Sequence, residues 1–235
     1  MKFRVRRVST TRSGGVSKTP FDTFNLGDHV GDDPAAVAAN RSRLAAATGL
    51  GAGRLVWMNQ VHGDRVAVID GPRERAVDDA DALLTTVPGL ALVVVTADCV
   101  PVLMADARVG VVAAVHAGRA GASDGVVVRA LEAMLTAGAH PADISVLLGP
   151  AVSGHHYEVP AEMADAVEAV LPGSRTITSA GTPGLDLRAG IACQLRSFGI
   201  TAIDVDPRCT AADPDLFSYR RDGRTGRLAS LVWLE

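Results

Sequence analysis

The chain has 235 residues, 48% of them hydrophobic and 4% aromatic, with a formal net charge of −3. That is enough apolar material for a sizeable core, in one large α/β domain or two small ones, and it offers neither the basic patch nor the stacking surface that nucleic acid requires. No stretch is long and apolar enough to span a bilayer, and the charged start Lys2-Phe3-Arg4-Val5-Arg6-Arg7 has no apolar run behind it, so no membrane and no secretory signal are expected and the address reads as cytoplasmic.

Residues 2–9 alternate basic and apolar, as an edge strand does. Thr11 to Ser17 is a glycine-containing loop, and residues 25–34 form a second loop that ends in a helix start. Asp33 is the expected N-cap, Pro34 the first helical residue and Gly49 the stop after Thr48. Short strands are expected at 55–59 and 65–69 around a His62-Gly63-Asp64 turn. Three Val- and Leu-rich strands follow at 90–96, 100–104 and 109–115, and their continuous apolar character predicts burial on both faces. A second helix is expected from Ser123 or Asp124 to Gly138, then a strand at 144–148, helices at 161–171 and 188–198, and a last strand at 228–234. Residues 178–184 read as loop. There is no repeat or linker, so one domain over 1–235 is expected, and clustered strands with separated helices favour α+β over regular βαβ alternation.

The chemistry-bearing residues follow apolar strands. His62 comes after the 55–59 run, Cys99 after Val93-Val94-Val95-Thr96, and His116 after Val111 to Val115. Side chains delivered this way can meet on one rim of a sheet. Two imidazoles and one thiolate suit Zn2+, with Cu2+ as the other candidate, and three ligands leave a fourth position for water or substrate. The same residues permit a metal-free reading, with Cys99 as nucleophile and His116 as its base. They also permit a structural one, with Cys99 in the core and each histidine capping a strand. Three cysteines, Cys99, Cys193 and Cys209, make no disulfide framework. Cys193 reads as helix core, His29 and His140 as surface or loop residues, and Tyr219-Arg220-Arg221 as an exposed basic turn.

The phrases around these residues carry a resemblance. Arg12-Ser13-Gly14-Gly15-Val16-Ser17, Asn25-Leu26-Gly27, Asn59-Gln60-Val61-His62-Gly63, Thr96-Ala97-Asp98-Cys99-Val100-Pro101, Val115-His116-Ala117-Gly118, Leu148-Gly149-Pro150, Tyr157-Glu158-Val159 and Cys209-Thr210 occur in order. Over nearly its full length the chain resembles the laccase-domain purine nucleoside phosphorylase family, YfiH-like proteins formerly described as multicopper polyphenol oxidases. The resemblance implies one domain of layered α/β/β/α mixed sheets, like the cysteine-deamidase toxins. It implies a catalytic zinc on His62, Cys99 and His116, phosphorolysis of adenosine, inosine and methylthioadenosine, and hydrolytic deamination of adenosine. Its alternatives are a cysteine hydrolase, a peptidoglycan-precursor editing enzyme and a copper-dependent, laccase-like polyphenol oxidase; a non-catalytic zinc-stabilised interaction protein is a further class.

The implied partners are a purine nucleoside and phosphate. Arg12 with the amides near Gly14 and Gly15 is the expected phosphate cradle, with Ser17, Asn25, Gln60 and Arg119 as further substrate contacts. Asp98 is expected as an acid/base group or as the partner of a histidine. Two departures stand out. The family's His-Ala-Gly-Trp-Arg-Gly is here His116-Ala117-Gly118-Arg119-Ala120-Gly121, and His155-His156 precede Tyr157 where the family often has cysteine.

Overall fold

In the computed structural model, which describes residues 3–235, the chain runs β1 (Val5–Ser9), α1 (Pro34–Thr48), β2 (Leu55–Val56), β3 (Val66–Val68), β4 (Ala82–Thr85), β5 (Ala91–Thr96), β6 (Val100–Asp106), β7 (Val111–Ala117), α2 (Arg119–Ser123), α3 (Val126–Thr136), β8 (Ile144–Leu148), α4 (Ala161–Val170), β9 (Arg175–Ile177), β10 (Pro183–Leu185), α5 (Leu187–Ser197), β11 (Ala202–Val205), α6 (Tyr219–Asp222) and β12 (Leu228–Leu234). Lys2, where the first strand was expected to begin, lies outside the described residues.

A four-stranded sheet has the order β1-β12-β5-β2, and a six-stranded sheet the order β11-β8-β6-β7-β4-β3. Both are mixed: β2 runs parallel to β5, β3 to β4 and β11 to β8, and the other pairs are antiparallel. The alternation of side chains along each strand explains the continuous apolar runs. Leu92 and Val94 of β5 meet Leu103 and Ala105 of β6 and Val112 and Ala114 of β7 in a core between the two sheets. Ala91, Val93 and Val95 point the other way, onto Leu44 and Ala45 of α1. Val102, Met104, Ala113 and Val115 face Val126, Val127, Ala130, Leu131 and Met134 of α3, with Ile191 and Leu195 of α5. The order of layers is therefore α/β/β/α in a single mixed α/β domain, as expected. Each large side chain fully buried here contributes about 1.5–3 kcal/mol.

Local signals held at α1. The Asp33 carboxylate accepts from Ala35 N at 2.9 Å, and Gly49 closes the helix at φ 72°. Several expectations shift. The 55–59 strand contracts to Leu55–Val56, with Met58 making an isolated bridge to Val77. The 109–115 strand begins at Val111, because Asp106 Oδ1 accepts from Arg108 N and Val109 N and holds that segment in the turn. The strand also runs on to Ala117, paired with Val100, so His116 lies within β7 rather than beyond it. The expected second helix is α3, which starts at Val126 after Gly125 at φ 91° rather than at Ser123 or Asp124, and the short α2 before it was not anticipated. β10 occupies part of the segment read as loop, and β4, β9 and β11 were not anticipated. Cys193, read as core, is exposed on α5. Among the described residues no helix is long and apolar enough to cross a membrane.

Candidate metal centre

The turn from β5 to β6 leaves one sheet and enters the other, and Cys99 sits in it. His116 is on β7 of the larger sheet. His62 lies on the loop from β2 to β3, which also passes between sheets, at φ 62°. The donor atoms of His62, Cys99 and His116 all lie within 4.8 Å of one another. His62 Nε2 is 3.9 Å from Cys99 Sγ, and the two imidazoles meet edge to face with centroids 4.7 Å apart. Gly118 gives them room: a Cβ there would come within 2.9 Å of His62 Cδ2 and 3.0 Å of Cys99 Sγ.

Asp81, immediately before β4, organises the cluster and was not foreseen. Its carboxylate is fully buried and lies 2.7 Å from His116 Nδ1. It also accepts from the amides of Val61 (3.2 Å), His62 (3.0 Å) and Gly63 (2.8 Å). Its carbonyl accepts from His116 N at 2.7 Å. On the other side of the loop, Gln60 bonds both the carbonyl and the amide of Val95 in β5, each at 2.8 Å. The His62 loop is thus clamped to both sheets. With Nδ1 taken by Asp81, His116 is left with Nε2 as its ligand atom, the carboxylate–imidazole arrangement usual behind metal-binding histidines.

The charges agree with a metal-binding role. Burial opposes ionisation of Cys99, but hydrogen bonds with His116 and then His62 prevail and lower its pKa from 9.0 to about 6. Burial likewise opposes protonation of His116, but Asp81 and the Cys99 thiolate raise its pKa to about 9. A thiolate beside two imidazoles, with all three donors converging, fits a zinc- or copper-class ion.

The cluster opens into a cavity of about 680 Å3 whose walls include Gln60, Val95, Arg119, Val152, Tyr157 and Leu187. Tyr219, Arg220, Arg227 and His29 also line it, and Tyr219, Arg220 and His29 are exposed, as the sequence reading had them. The Arg220 guanidinium lies 5.0 Å from the centre of the Tyr157 ring. Burial raises the Tyr157 pKa, while the nearby Arg119 charge opposes the rise, as does Arg220 more weakly.

Several expected site residues are engaged elsewhere. Asp98, at φ 93°, lines the cavity but partners neither histidine. Its carboxylate accepts from Thr210 Oγ1 (2.6 Å), Ser218 Oγ (2.7 Å) and Arg220 N (2.6 Å), tying the Cys99 turn to the 209–220 segment. Arg12 bonds Asp22 through its carbonyl and carboxylate and stacks on Phe217. The loop amides thought to cradle phosphate are spent inwardly, Gly15 N on Thr23 Oγ1 and Val16 N on Asn40 Oδ1. Ser17 is buried against Asn40, and buried Asn25 holds Gly27 and the amide of Arg227. Neither Arg12, Ser17 nor Asn25 lines the cavity. His155 and His156 are exposed, and His156 Nδ1 faces Cys209 Sγ at 3.6 Å.

Residues 6–235 match a family model described as multi-copper polyphenol oxidoreductase laccase. A Mycobacterium tuberculosis protein named purine nucleoside phosphorylase is 75% identical over 235 residues, covering 100% of this chain and 94% of that relative. A Corynebacterium glutamicum protein of the same name is 57% identical over 232 residues, covering 98% and 94%. Among solved structures, the hypothetical protein YfiH of Bacillus licheniformis superposes with a TM-score of 0.92 at 32% identity, covering 98% of this chain and 93% of that one. YlmD from Geobacillus stearothermophilus gives 0.91 at 34%, covering 97% and 92%.

Proposed function

The chain belongs to the family described as multi-copper polyphenol oxidoreductase laccase, and we propose that within it this protein is a zinc-dependent purine nucleoside phosphorylase acting on adenosine, inosine and methylthioadenosine. One observation carries the reading: a three-donor cluster lines the same cavity as Arg119 and Arg220, two arginines whose guanidinium groups form no salt bridge among the described residues. The relatives named purine nucleoside phosphorylase support it.

His62, Cys99 and His116 hold the ion, which when bound supplies Lewis-acid polarisation at the one position they leave open. Arg119 and Arg220 anchor phosphate by charge-assisted hydrogen bonds, the role first assigned to Arg12. Tyr157 keeps its proton, because burial holds its pKa up, and donates to the phosphate beside them. Val95, Val152 and Leu187 give the purine an apolar wall that excludes water. Hydrolytic deamination of adenosine belongs to the same reading; it would need a water at the purine carbon that bears the amino group, which the ion held by His62, Cys99 and His116 would activate, with ammonia as the leaving group. A multicopper oxidase would need further ligand sets, and among the described residues this is the one cluster of three such donors.

A second reading rests on the row Cys99, His116, Asp81. Without an ion, a thiolate beside an imidazole oriented by a buried carboxylate is a cysteine hydrolase for an amide or a peptidoglycan precursor.

The experiment is incubation of metal-replete protein with adenosine, with and without phosphate, alongside elemental analysis. The expected result is about one zinc per chain and adenine only when phosphate is present. Inosine in either condition reports deamination. Neither product, or equal metal content in wild type and Cys99→Ala, overturns the phosphorylase reading in favour of the hydrolase.

A further inference from the structure

Asp98 stands one residue before Cys99, yet its side-chain bonds lead to the 209–220 segment rather than to a histidine. The hydroxyls of Thr210 and Ser218, both fully buried, donate to Oδ1 at 2.6 Å and 2.7 Å. The amide of Arg220 donates to Oδ2 at 2.6 Å. The backbone carbonyl of Asp98 accepts from Val152 N at 3.0 Å, so a third part of the cavity wall is tied to the same residue. Short bonds to a carboxylate are the strong, charge-assisted kind, and three donors fill most of the acceptor sites it has. Asp98 also holds φ 93°, a costly conformation for an aspartate, which persists only where its surroundings over-determine it.

The segment that Asp98 grips has an order of its own. The Arg221 guanidinium donates to the carbonyls of Thr210 (2.8 Å), Asp213 (2.9 Å) and Leu216 (2.7 Å). Ser218 caps α6 by accepting from Arg221 N at 3.2 Å, and fully buried Leu216 and Phe217 pack with Leu228. The segment is also tied down at Asp215, whose carbonyl accepts from Arg12 N at 2.9 Å, and at the bridge between Cys209 and Ala151. Arg220 itself is different. Its guanidinium forms no salt bridge among the described residues and lies 5.0 Å from the centre of the Tyr157 ring, while its amide is bonded to Asp98. From Cys99 to that guanidinium the connection is one residue, one hydrogen bond and the arginine stem.

We propose that Asp98 is a positioning residue for phosphorolysis: by holding the Arg220 amide beside the Cys99 turn, it fixes the phosphate-binding guanidinium relative to the His62, Cys99 and His116 cluster. This rests on the phosphorolytic reading above. Phosphate is the attacking group there, so its place relative to the cluster sets its place relative to the nucleoside. A shift of about 1 Å in a group that orients a reactant can cost about 100-fold in rate, which is what such a latch prevents. The role asks Asp98 only to accept hydrogen bonds. An amide side chain can share it, with its oxygen on the Arg220 amide and its nitrogen on the two hydroxyls, which turn to accept. A proton-transferring group has no such substitute.

The test is a double-mutant cycle on metal-replete protein with adenosine and phosphate, reading adenine by chromatography and zinc by elemental analysis. Asp98→Gly accepts φ 93° freely and removes only the latch. It is expected to keep its zinc and its KM for adenosine while the KM for phosphate rises about tenfold or more, as loss of a charge-assisted contact does. Asp98→Asn is expected to stay close to wild type in both kcat and the phosphate KM. In an Arg220→Met background Asp98→Gly adds nothing further. Thr210→Val removes one donor with little change of shape and serves if Asp98→Gly does not fold; its smaller rise in phosphate KM must vanish in the same background. A loss of kcat in Asp98→Asn as deep as in Asp98→Gly overturns the proposal in favour of proton transfer. Effects of Asp98→Gly and Arg220→Met that multiply overturn it as well. Adenine from no protein, wild type included, overturns the phosphorolytic reading instead. Calorimetry with inorganic phosphate then decides the latch alone: it stands if Asp98→Gly and Arg220→Met weaken phosphate binding alike and the double variant is no weaker than either, and otherwise falls.

Discussion

The Asp81 carboxylate and the His116 imidazole meet at 2.7 Å with both side chains buried, and the same carboxylate takes the amides of the loop that carries His62. One side chain therefore sets the spacing between two of the three candidate ligands.

Asp81→Ala leaves three amides and an imidazole nitrogen without their acceptor. Loss of one partner of a buried charged pair costs about 3–5 kcal/mol, and the expected result is a large drop in thermal stability. Asp81→Asn keeps an acceptor and the shape, and is expected to fold while binding zinc about 10–100-fold more weakly, the usual effect of a lost hydrogen-bond partner behind a ligand. Competition with a chromophoric chelator measures it. Undiminished zinc affinity in Asp81→Asn would refute the positioning role.

Gly118→Ala tests the packing around the cluster. Gly118 has φ −75° and ψ 171°, a conformation that alanine adopts freely, so the strain comes only from the new methyl group. That group meets His62 and Cys99 at once. The expected outcome is a folded protein, destabilised by about 1–3 kcal/mol through overpacking, that retains little metal. Elemental analysis after dialysis checks this; full occupancy would mean that the ligands relax around the methyl.

Arg119→Ala and Arg12→Ala separate the two phosphate assignments. Arg119 faces the cavity, and Arg12 is spent on Asp22. Arg119→Ala is expected to raise the KM for phosphate by about tenfold or more, as loss of a charge-assisted contact does. Arg12→Ala is expected to lower the melting temperature with the phosphate KM unchanged. The reverse pattern in steady-state kinetics would return the phosphate to the glycine loop.

Asp206 gives a pH signature remote from the metal cluster. Burial pushes its pKa up, but hydrogen bonds from the Arg208 guanidinium and amide, with the charges of Arg208 and Arg188, bring it below the ordinary 3.8. A carboxyl depressed in the folded state adds stability that is fully present above its unfolded value and is lost as pH falls through the folded one. Asp206→Asn should therefore lower the melting temperature clearly at pH 6 and progressively less below about pH 4, the unfolded carboxyl range. Thermal unfolding across that window decides it, and a gap that stays constant with pH would count against the pair.

Much of this was legible in the sequence because it is written locally. The cap of α1 needs only Asp33, Pro34 and Gly49, and the cores need only the Val- and Leu-rich runs of β5, β6 and β7. His62, Cys99 and His116 stood out because each follows such a run within a distinctive phrase. What stayed hidden depends on pairing at a distance. Asp81 sits in Asp78-Asp79-Ala80-Asp81, which looks like a solvated acidic turn until β4 pairs with β3 and β7 and buries its last member. The four residues of β4 itself, Ala82-Leu83-Leu84-Thr85, have one β-branched side chain between them and little strand propensity. The glycine loop after Arg12 looked free to bind an anion because its acceptors, Thr23 and Asn40, are 8 and 24 residues further on. Arg227 and His29 line one cavity only after the chain has closed on itself.

The His62 loop and the Cys99 turn both cross between the sheets, while His116 rides on β7 of the larger one alone. The three donors can therefore stay in register only while the sheets keep their mutual position. Any slippage of one sheet over the other would separate the ligands before it exposed much core, so metal occupancy acts as a gauge of how faithfully the whole sandwich is assembled. By the same linkage, an ion that binds only the assembled form reinforces the sheet-to-sheet contact at a distance from itself.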